Sequence, residues 1–499
     1  MALRATVARN QLLYRIARVR LYTTTQLSSV TAFSFSLLSR LGKKLADGKG
    51  GLGCEGDPQA ISRAREALLL SLGPQIERMQ PEAIAACVCT HYKKLESEEK
   101  KHFLGLLAGD LGVKHEEVHN NAQRLLDTFT QQRDEPTLLK SELTLRQSLQ
   151  PFYWTLFTYI ARLEGGLKFL LDMREDLLTT LSVPSEGMQY NLSSLNTHLK
   201  EILAQWFSVE FLQLHNITWR TPCDIMEKVS QYEAVHPVRS WKDLKYRVGL
   251  NRRCFVFIHP AMPREPLVVL HTALTEEPSD NIQALINRSQ HKEIAEVNAA
   301  VFYSIFTTQP GLSGVHLGNF LIKRVVKELQ KEFPSLKQFV TLSPIPGFRK
   351  WLESFLKQQR GGLVGVAGFD PTVYKTQMQS YASSLTRGAE PSRQLEDAIK
   401  APLMSLCARY LAMEKRRGYV LDPVAHFHLT NGASLWRLNW AGDVSKNGLE
   451  RSYGLMVNYR YDLPDISENS LQYTLNGTVA MSSSVQKLLP GQQAPPSVM

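Results

Sequence analysis

Several features that would place this chain in other classes of protein are missing from its sequence. No apolar run reaches the ~18–20 residues that a membrane-spanning helix needs; the longest are 152–161 and 30–38. The six cysteines form no C-x-x-C pair, and such scattered cysteines are typical of reduced, intracellular thiols. We therefore expect neither a membrane span nor a disulfide or zinc scaffold.

Acidic residues are missing from the first 46 positions, and residues 1–40 hold six arginines with apolar residues at helical spacing between them. A positively charged amphipathic helix without acids is typical of a mitochondrial transit peptide, so we expect 1–40 to be one and the protein to lie in the mitochondrial matrix. A disordered basic arm is the alternative. These arginines account for six of the eleven net positive charges, and the other charges alternate in sign, which argues against a nucleic-acid partner.

What is present is the composition of a folded protein, 43% hydrophobic and 21% charged, in a chain of 499 residues long enough for two or three domains. Apolar residues repeat every three or four positions through most of 57–207, which predicts helices at 61–72, 100–107, 118–129 and 143–162. After residue 208, short β-rich runs predict strands at 255–258, 267–270, 301–306 and 338–342. We expect the first two strands to form an antiparallel hairpin and the last two to flank a glycine-bearing loop and a helix.

That loop, 309–318, leads into an amphipathic helix predicted over 319–333. Its three glycines let the backbone approach a ligand, and the free amides of a helix start favour an anion such as a pyrophosphate, with Lys323 and Arg324 placed to assist. A glycine-rich connection without a ligand is the alternative. Ser313 does not lie in a G-x-S-x-G motif, so a hydrolase nucleophile is not expected there.

Ser343 follows the last predicted strand, and the prolines at 344 and 346 restrict the backbone around its hydroxyl group. A serine held in one orientation suits catalysis, whereas a serine that only binds the backbone of a turn is the alternative.

Residues 424–433 predict a strand that carries His426 and His428 on the same face. Histidine titrates near neutrality and suits acid–base catalysis, whereas a metal site would need a third ligand that the sequence does not offer. The following residues, 434–440, fit either a second hairpin strand or a helix capped near Asn431.

Four blocks in the same order resemble the malonyl-CoA decarboxylase family: 311–326, 342–348, 427–433 and 454–461. Weaker similarity at 163–170, 234–238 and 417–419 extends the resemblance to about residues 80–480. It implies an all-α helical-bundle N-terminal domain over 46–207, an acetyltransferase-like (GNAT) mixed-sheet catalytic domain over 208–485 and a flexible tail over 486–499. It also favours a helix after Asn431.

The resemblance further implies decarboxylation of malonyl-CoA to acetyl-CoA and CO2, a reaction of fatty acid metabolism. Because the thioester itself accepts the electrons that departing CO2 leaves behind, no cofactor, neither metal nor biotin, is expected. The family's catalytic pair falls on Ser343 and His428, with His428 as proton donor. Ser343 is expected to bind the substrate carboxylate or to act as the proton-accepting partner of the histidine. Asn431 and Tyr461 are expected beside this pair. CoA is expected to contact the pair and Ser313, Gly314, Val315, His316, Leu317, Gly318 and Asn319.

The chain departs from the family at His316, where members are often acidic or small, so a catalytic contribution is not carried over to that position. It ends Ser497-Val-Met499 rather than in a peroxisomal Ser-Lys-Leu-type signal, so import by that signal is not expected, whereas a cytosolic form stays open. The family also implies a homo-oligomer, for example a tetramer, with Cys223 as the candidate for an interchain disulfide. A CoA-dependent acyltransferase of the same fold and a non-catalytic acyl-CoA sensor are the alternative functions.

Overall fold

The computed structural model describes residues 81–183, 188–208, 210–233, 235–287, 297–315, 320–358 and 371–489. The expected transit peptide, the expected helix over 61–72 and positions 316–319 of the glycine loop lie outside these residues. The chain divides into two compact units. One contains the described residues before 208 together with 309–315, and the other contains the remaining described residues.

The described part of the first unit is helical, apart from a single 3-10 turn at Pro310–Leu312. Its helices are α1 (Pro81–Tyr92), α2 (Ser97–Asp110), α3 (His115–Thr130), α4 (Glu135–Ser148), α5 (Phe152–Arg162), α6 (Gly166–Leu181) and α7 (Gln189–Trp206). Fully buried side chains from four of them, Phe103, Phe157, Leu170 and Leu199, form its core. The helices predicted at 100–107 and 118–129 are confirmed.

The helix predicted over 143–162 is wrong, because α4 ends at Ser148 and α5 begins at Phe152. Pro151 lies at the N-cap of α5. Proline has no backbone N–H and its ring clashes with the preceding helical turn, so it begins a helix but cannot continue one. The three-to-four-residue repeat therefore spans two helices.

In the second unit, eight described strands form one sheet in the order β1-β2-β3-β4-β5-β10-β6, with β9 also paired to β10. The strands are β1 (Gln213–Ile217), β2 (Arg252–Ile258), β3 (Pro266–Thr275), β4 (Ala299–Thr307), β5 (Gln338–Thr341), β6 (Ser343–Pro344), β9 (Ser434–Asn439) and β10 (Met456–Arg460). Two short strands, β7 (Lys415–Arg416) and β8 (Tyr419–Val420), pair separately. All sheet neighbours are antiparallel except β4 and β5, which are parallel.

Helices cover this sheet and extend its edges. They are α8 (Cys223–Tyr232), α9 (Trp241–Arg247), α10 (Ile282–Asn287), α11 (Phe320–Glu332), α12 (Phe348–Gln358), α13 (Pro371–Thr386), α14 (Arg393–Ala412), α15 (Pro423–Thr430), α16 (Lys446–Ser452), α17 (Ile466–Asn476) and α18 (Ser483–Gln486). One face of the sheet packs on α8 and α9 through Val229, Leu244 and Val256, and further along on α10 through Ile282 and Val301.

The predicted order of a helical domain followed by a mixed-sheet domain is confirmed. The hairpin of β2 and β3 and the parallel pair of β4 and β5 around the amphipathic helix α11 lie where the sequence predicts them. No helix in the described part of the chain is long and apolar enough to cross a membrane.

The strand predicted over 424–433 is wrong, because α15 occupies most of this segment. Asp422 caps the helix by accepting hydrogen bonds from the backbone N–H groups of Val424 and Ala425, and Pro423 takes the first helical position. An acidic N-cap followed by proline is a helix-start signal that outweighs the apolar run after it. The helix expected after Asn431 is wrong as well, because Ser434–Asn439 pairs with β10 as strand β9.

Candidate active site

Ser343 and His428 come from separate segments and meet inside the second unit. Ser343 begins β6, paired to Val457 of β10, and His428 lies on α15. The Oγ atom of Ser343 lies 3.2 Å from Nε2 of His428. Both side chains are buried, Ser343 with 5% and His428 with 3% of its surface exposed. The two residues that the resemblance singled out therefore form a hydrogen-bonded pair.

Tyr459 of β10 and Tyr461, just after the end of that strand, hold the imidazole ring of His428. The hydroxyl group of Tyr461 lies 2.8 Å from Nδ1, and the ring of Tyr459 stacks on the imidazole with centroids 4.6 Å apart. Burial lowers the pKa of His428 to about 3, so the histidine is neutral near pH 7. Burial also raises the pKa of Tyr461 well above its usual value, which keeps its hydroxyl protonated.

The hydrogen bonds define where the proton of His428 lies. Ser343 donates its only hydroxyl proton to Oγ1 of Thr341, 2.9 Å away, and the same oxygen accepts the backbone N–H of Tyr459 at 3.0 Å. Since Ser343 has no second proton to give, the bond between Ser343 and His428 is donated by Nε2–H. A neutral histidine protonated at Nε2 accepts at Nδ1, so Tyr461 is the donor there. The site is therefore a chain from Tyr461 through His428 to Ser343.

Asp422 connects the segments that carry Ser343 and His428. Besides capping α15, its carboxylate accepts the hydroxyl of Tyr410 at 3.4 Å and the backbone N–H of Gly347, four residues after Ser343. Burial raises the pKa of Asp422 to about 6. One buried carboxyl group thus holds the start of the His428 helix against the loop that follows Ser343.

His426 and Asn431 do not join the pair. Two positions along a helix correspond to a rotation of about 200°, so His426 lies on the side of α15 away from His428. It bonds the hydroxyl of Tyr473 at 2.8 Å and packs on Tyr419. The side-chain amide of Asn431 donates to the carbonyl of Phe427 at 2.8 Å and closes the C-terminal end of the helix. The expectation that the two histidines share a face is wrong.

The described part of the glycine loop, 309–315, is held within the first unit. The guanidinium group of Arg174 donates to the carbonyl oxygens of Gly311 and Ser313, the latter at 2.8 Å, and to Asn196 at 3.0 Å. A Cβ atom at Gly311 would lie 2.1 Å from the carbonyl oxygen of Leu171, so only glycine fits there. Gly314 has a φ of +70°, a conformation that glycine adopts without strain. His316, Leu317, Gly318 and Asn319 lie outside the described residues.

The two cations at the start of α11 have partners of their own. Arg324 donates to the carbonyl of Leu212 at 2.5 Å and lies over the ring of Phe257, and Lys323 donates to the hydroxyl of Ser467 at 3.3 Å. Among the described residues, no three His, Cys, Asp or Glu side chains are grouped to hold a metal ion. Cys223 is exposed at the start of α8, whereas the other described cysteines are partly or fully buried.

Sequence reasoning missed the supporting residues Thr341, Tyr459, Asp422, Tyr410 and Arg174. Asp422 has a local signal, the Asp-Pro start of a helix. The other four act through partners as far as 139 positions away in the chain, and no local pattern marks such contacts.

Two family models match the chain: the malonyl-CoA decarboxylase N-terminal domain over residues 112–207 and the malonyl-CoA decarboxylase C-terminal domain over 210–498. The chain is 43% identical over 428 residues to a protein of Anser anser anser described as malonyl-CoA decarboxylase, mitochondrial, covering 83% of each. Its relative of the same description from Rattus norvegicus is 45% identical over 413 residues, which are 79% of this chain and 82% of the relative.

Solved malonyl-CoA decarboxylase structures also match. The one from Rhodopseudomonas palustris has a TM-score of 0.73 and 32% identity, covering 86% of this chain and 98% of that one. The one from Agrobacterium vitis has the same TM-score and identity, covering 87% of this chain and 100% of that one.

Proposed function

The chain belongs to the malonyl-CoA decarboxylase family, a family of carboxy-lyases, and we propose that Ser343 and His428 carry out its reaction, the conversion of malonyl-CoA to acetyl-CoA and CO2. The observation that carries this assignment is the buried hydrogen-bonded chain Tyr461–His428–Ser343. It presents a proton on Nε2 of a neutral histidine in a site shielded from water.

Each step follows from what these groups can donate. When the bond between the α carbon and the carboxylate breaks, its electron pair enters the thioester and forms an enolate, while CO2 leaves. Nε2–H of His428 then gives its proton to the α carbon, completing the methyl group of acetyl-CoA. The proton of Tyr461 shifts onto Nδ1 as Nε2–H is given up, so the histidine does not become an anion. When acetyl-CoA leaves, a proton from solvent reaches Nε2 and the proton on Nδ1 returns to the tyrosine oxygen, which restores the starting state. Ser343 either binds the substrate carboxylate or holds Nε2–H until the substrate replaces it.

We expect CoA to contact Ser313, Gly314 and Val315 as well as 316–319. Two observations support the expectation. Arg174 binds two carbonyl groups of this loop and so holds its backbone. The backbone N–H of Gly314 forms no hydrogen bond with a backbone group of the described residues. Backbone N–H groups of a rigid glycine loop are suited to a pyrophosphate.

The test is release of CO2 from carboxyl-labelled malonyl-CoA by the purified chain, with a chelator present and no acyl acceptor. His428→Asn is expected to lower kcat by at least about a hundredfold, as loss of a general acid does. His426→Asn, a histidine on the other side of the same helix, is the matched control and is expected to retain kcat within about threefold. Equal loss in both variants, or full activity in His428→Asn, contradicts the assignment. A folded chain that binds CoA without releasing CO2 would support an acyltransferase or a sensor instead.

For the location of the protein we propose the mitochondrial matrix, with residues 1–40 as the transit peptide. The relatives described as mitochondrial support this, as does the arginine-rich, acid-free start of the sequence. Protein recovered from mitochondria is expected to begin after residue 40, which mass spectrometry of its first peptide would establish. An intact Met1 on matrix protein would contradict the proposal.

We also propose that the chain forms a homo-oligomer, such as a tetramer, through α3 and α4. No residue of these two helices is buried, although they carry Leu126, Phe129, Leu139 and Leu143, each more than half exposed. A matching apolar face exists on every further copy of the chain, and homo-oligomers commonly bury the same patch from both copies. Cys223 is our candidate for an interchain disulfide, because it is the exposed cysteine among those described.

A further inference from the structure

A cavity of about 750 Å³ opens on the face of the sheet opposite to the catalytic pair. Pro344 and Met456, which are paired across β6 and β10, line it. Ser343 pairs with Val457, one position away. Because successive residues of a strand point to opposite faces, the sheet separates this cavity from Ser343.

The cavity carries positive charge that the described residues do not neutralise. Its lining includes four cations, Arg239, Lys242, Arg247 and Arg451, and two carboxylates, Asp243 and Asp443. Asp243 is paired with Arg247, with Nε and Oδ1 3.1 Å apart, and Asp443 accepts a hydrogen bond from Gln283. The guanidinium groups of Arg239 and Arg451 form neither a hydrogen bond nor an ion pair with any described residue. Two unpaired guanidinium groups at one cavity indicate an anion-binding site.

Two polar atoms in the wall lack hydrogen-bond partners among the described residues. Arg247 is 95% buried, yet its Nη1 has no hydrogen-bond partner and lies 3.7 Å from a carboxylate oxygen of Glu233. Nε2 of His236, which also lines the cavity, is buried without a partner. Burial lowers the pKa of His236 to about 4, so this ring is neutral near pH 7. Both atoms have almost no accessible surface, so they add polar character to the wall behind the cavity without contacting its contents.

The rest of the wall indicates the size and character of such a ligand. Ile282, Ile286 and Leu455 give the cavity an apolar side, and its volume falls within the range of about 300–1,000 Å³ that is usual for small-molecule sites. A short carbon skeleton would contact the apolar side while its anionic group faces the arginines.

We propose that this cavity binds a small carboxylic acid or phosphate ester, through Arg239 and Arg451, at a site separate from the catalytic pair. The proposal does not depend on the decarboxylase assignment, because binding is measured without turnover. It is a second ligand site on the catalytic domain, reached from the opposite face of the sheet.

Calorimetric titration of the full chain with malonate, inorganic phosphate and neutral malonamide tests the proposal. We expect one or both anions to bind and malonamide not to bind. The anion with the lower dissociation constant identifies whether the site prefers a carboxylate or a phosphate. Absence of heat from both anions at millimolar concentrations would overturn the proposal.

Variants assign the binding to this cavity. Arg451→Gln is expected to weaken anion binding by roughly tenfold, the effect of losing one charge-assisted hydrogen bond. Lys446→Gln removes an exposed cation from the same helix, α16, outside the cavity, and is expected to change binding less than twofold. Equal weakening in both variants would mean that the anions respond only to the net charge of the protein, which would overturn the proposal.

Because malonate resembles the substrate, Ser343→Ala is a further control. A loss of malonate binding in this variant would show that the anion binds at the catalytic pair, and it would equally overturn the proposal.

Discussion

Tyr459 and Tyr461 contact the same histidine in different ways. Tyr461 reaches Nδ1 of His428 with its hydroxyl group, whereas Tyr459 contributes only the face of its ring. The hydroxyl of Tyr459 is buried and has no hydrogen-bond partner among the described residues. Substituting each of these two tyrosines therefore separates the effect of the hydrogen bond on catalysis from the effect of packing.

Tyr461→Phe is expected to lower kcat by roughly ten- to a hundredfold and to leave KM nearly unchanged, because a buried hydrogen bond of ~1.5–3 kcal/mol to the proton donor is lost. Tyr459→Phe keeps the stacked ring and removes a hydroxyl that bonds nothing described, so its kcat is expected to match that of the unmodified chain. Steady-state CO2 release measures both. Similar losses in the two variants would show that packing, not the Nδ1 hydrogen bond, supports His428.

The buried state of His428 also predicts how stability depends on pH. Its pKa is about 3 in the folded chain, against about 6.5 when exposed, so between these values the unfolded chain binds the extra proton and stability falls as pH falls. When the pH is lowered from 6.5 to 5.5, the free energy of unfolding falls in the unmodified chain. In His428→Asn we expect this fall to be smaller by about 1 kcal/mol. Urea unfolding at the two pH values measures the difference, and identical pH dependence would mean that His428 is not held neutral by burial.

At the scale of elements, α15 shows how a short helix positions the side chain that we propose as the proton donor. The helix has eight residues and would be marginal alone. Asp422 satisfies two N–H groups at its start, and Gly432, with a φ of +82°, reverses the chain after its end so that β9 can pair with β10. The cap and the glycine therefore fix the position of His428 relative to Ser343.

Asp422→Ala is expected to cost about 1 kcal/mol or more of stability, the usual cost of a lost N-cap, and to lower kcat because the start of α15 is released. Asp422→Asn retains a capping oxygen and is expected to restore most of the activity. Ser392→Ala removes the cap of α14, away from the pair, and is expected to lower stability but not kcat. Thermal unfolding and turnover are measured on the same preparations; unchanged kcat in a folded Asp422→Ala protein would limit the role of Asp422 to stability.

At the scale of the whole molecule, α3 and α4 stand out because the chain gives their apolar residues no cover. They are joined by a hydrogen bond between Thr128 and Ser141 and contain no buried residue. Exposed apolar area of this kind is costly in water, and association removes that cost.

Replacing Phe129 and Leu143 together by Glu is expected to yield a smaller assembly than the unmodified chain, because charges would enter the apolar contact between copies. Leu475→Glu changes an equally exposed leucine on α17 and is expected to leave the mass unchanged. Light scattering coupled to size-exclusion chromatography measures each mass. A monomeric unmodified chain, or a double variant of unchanged mass, would contradict the proposed interface.

The sequence by itself determined the features whose signals are local. Helix and strand periodicities located two helices of the first unit and four strands of the second, and the glycine loop and α11 were evident between β4 and β5. The order of four motifs indicated the family and, through it, the residues Ser343 and His428. These signals are local because backbone propensity and burial of one face act over a few neighbouring residues. Where two local signals competed, as at Asp422-Pro423 before an apolar run, the pattern alone gave a strand where the chain forms a helix.

Only the tertiary structure decided which groups meet. His426 and His428 look equivalent in the sequence, and the helical rotation of α15 brings one of them to Ser343, 85 positions earlier. Thr341, Tyr459 and Asp422 joined the site in the same way, as did Arg174 on the glycine loop. The physical reason is that hydrogen bonds and burial depend on distances that the packing of whole elements sets. Local sequence patterns do not determine those distances.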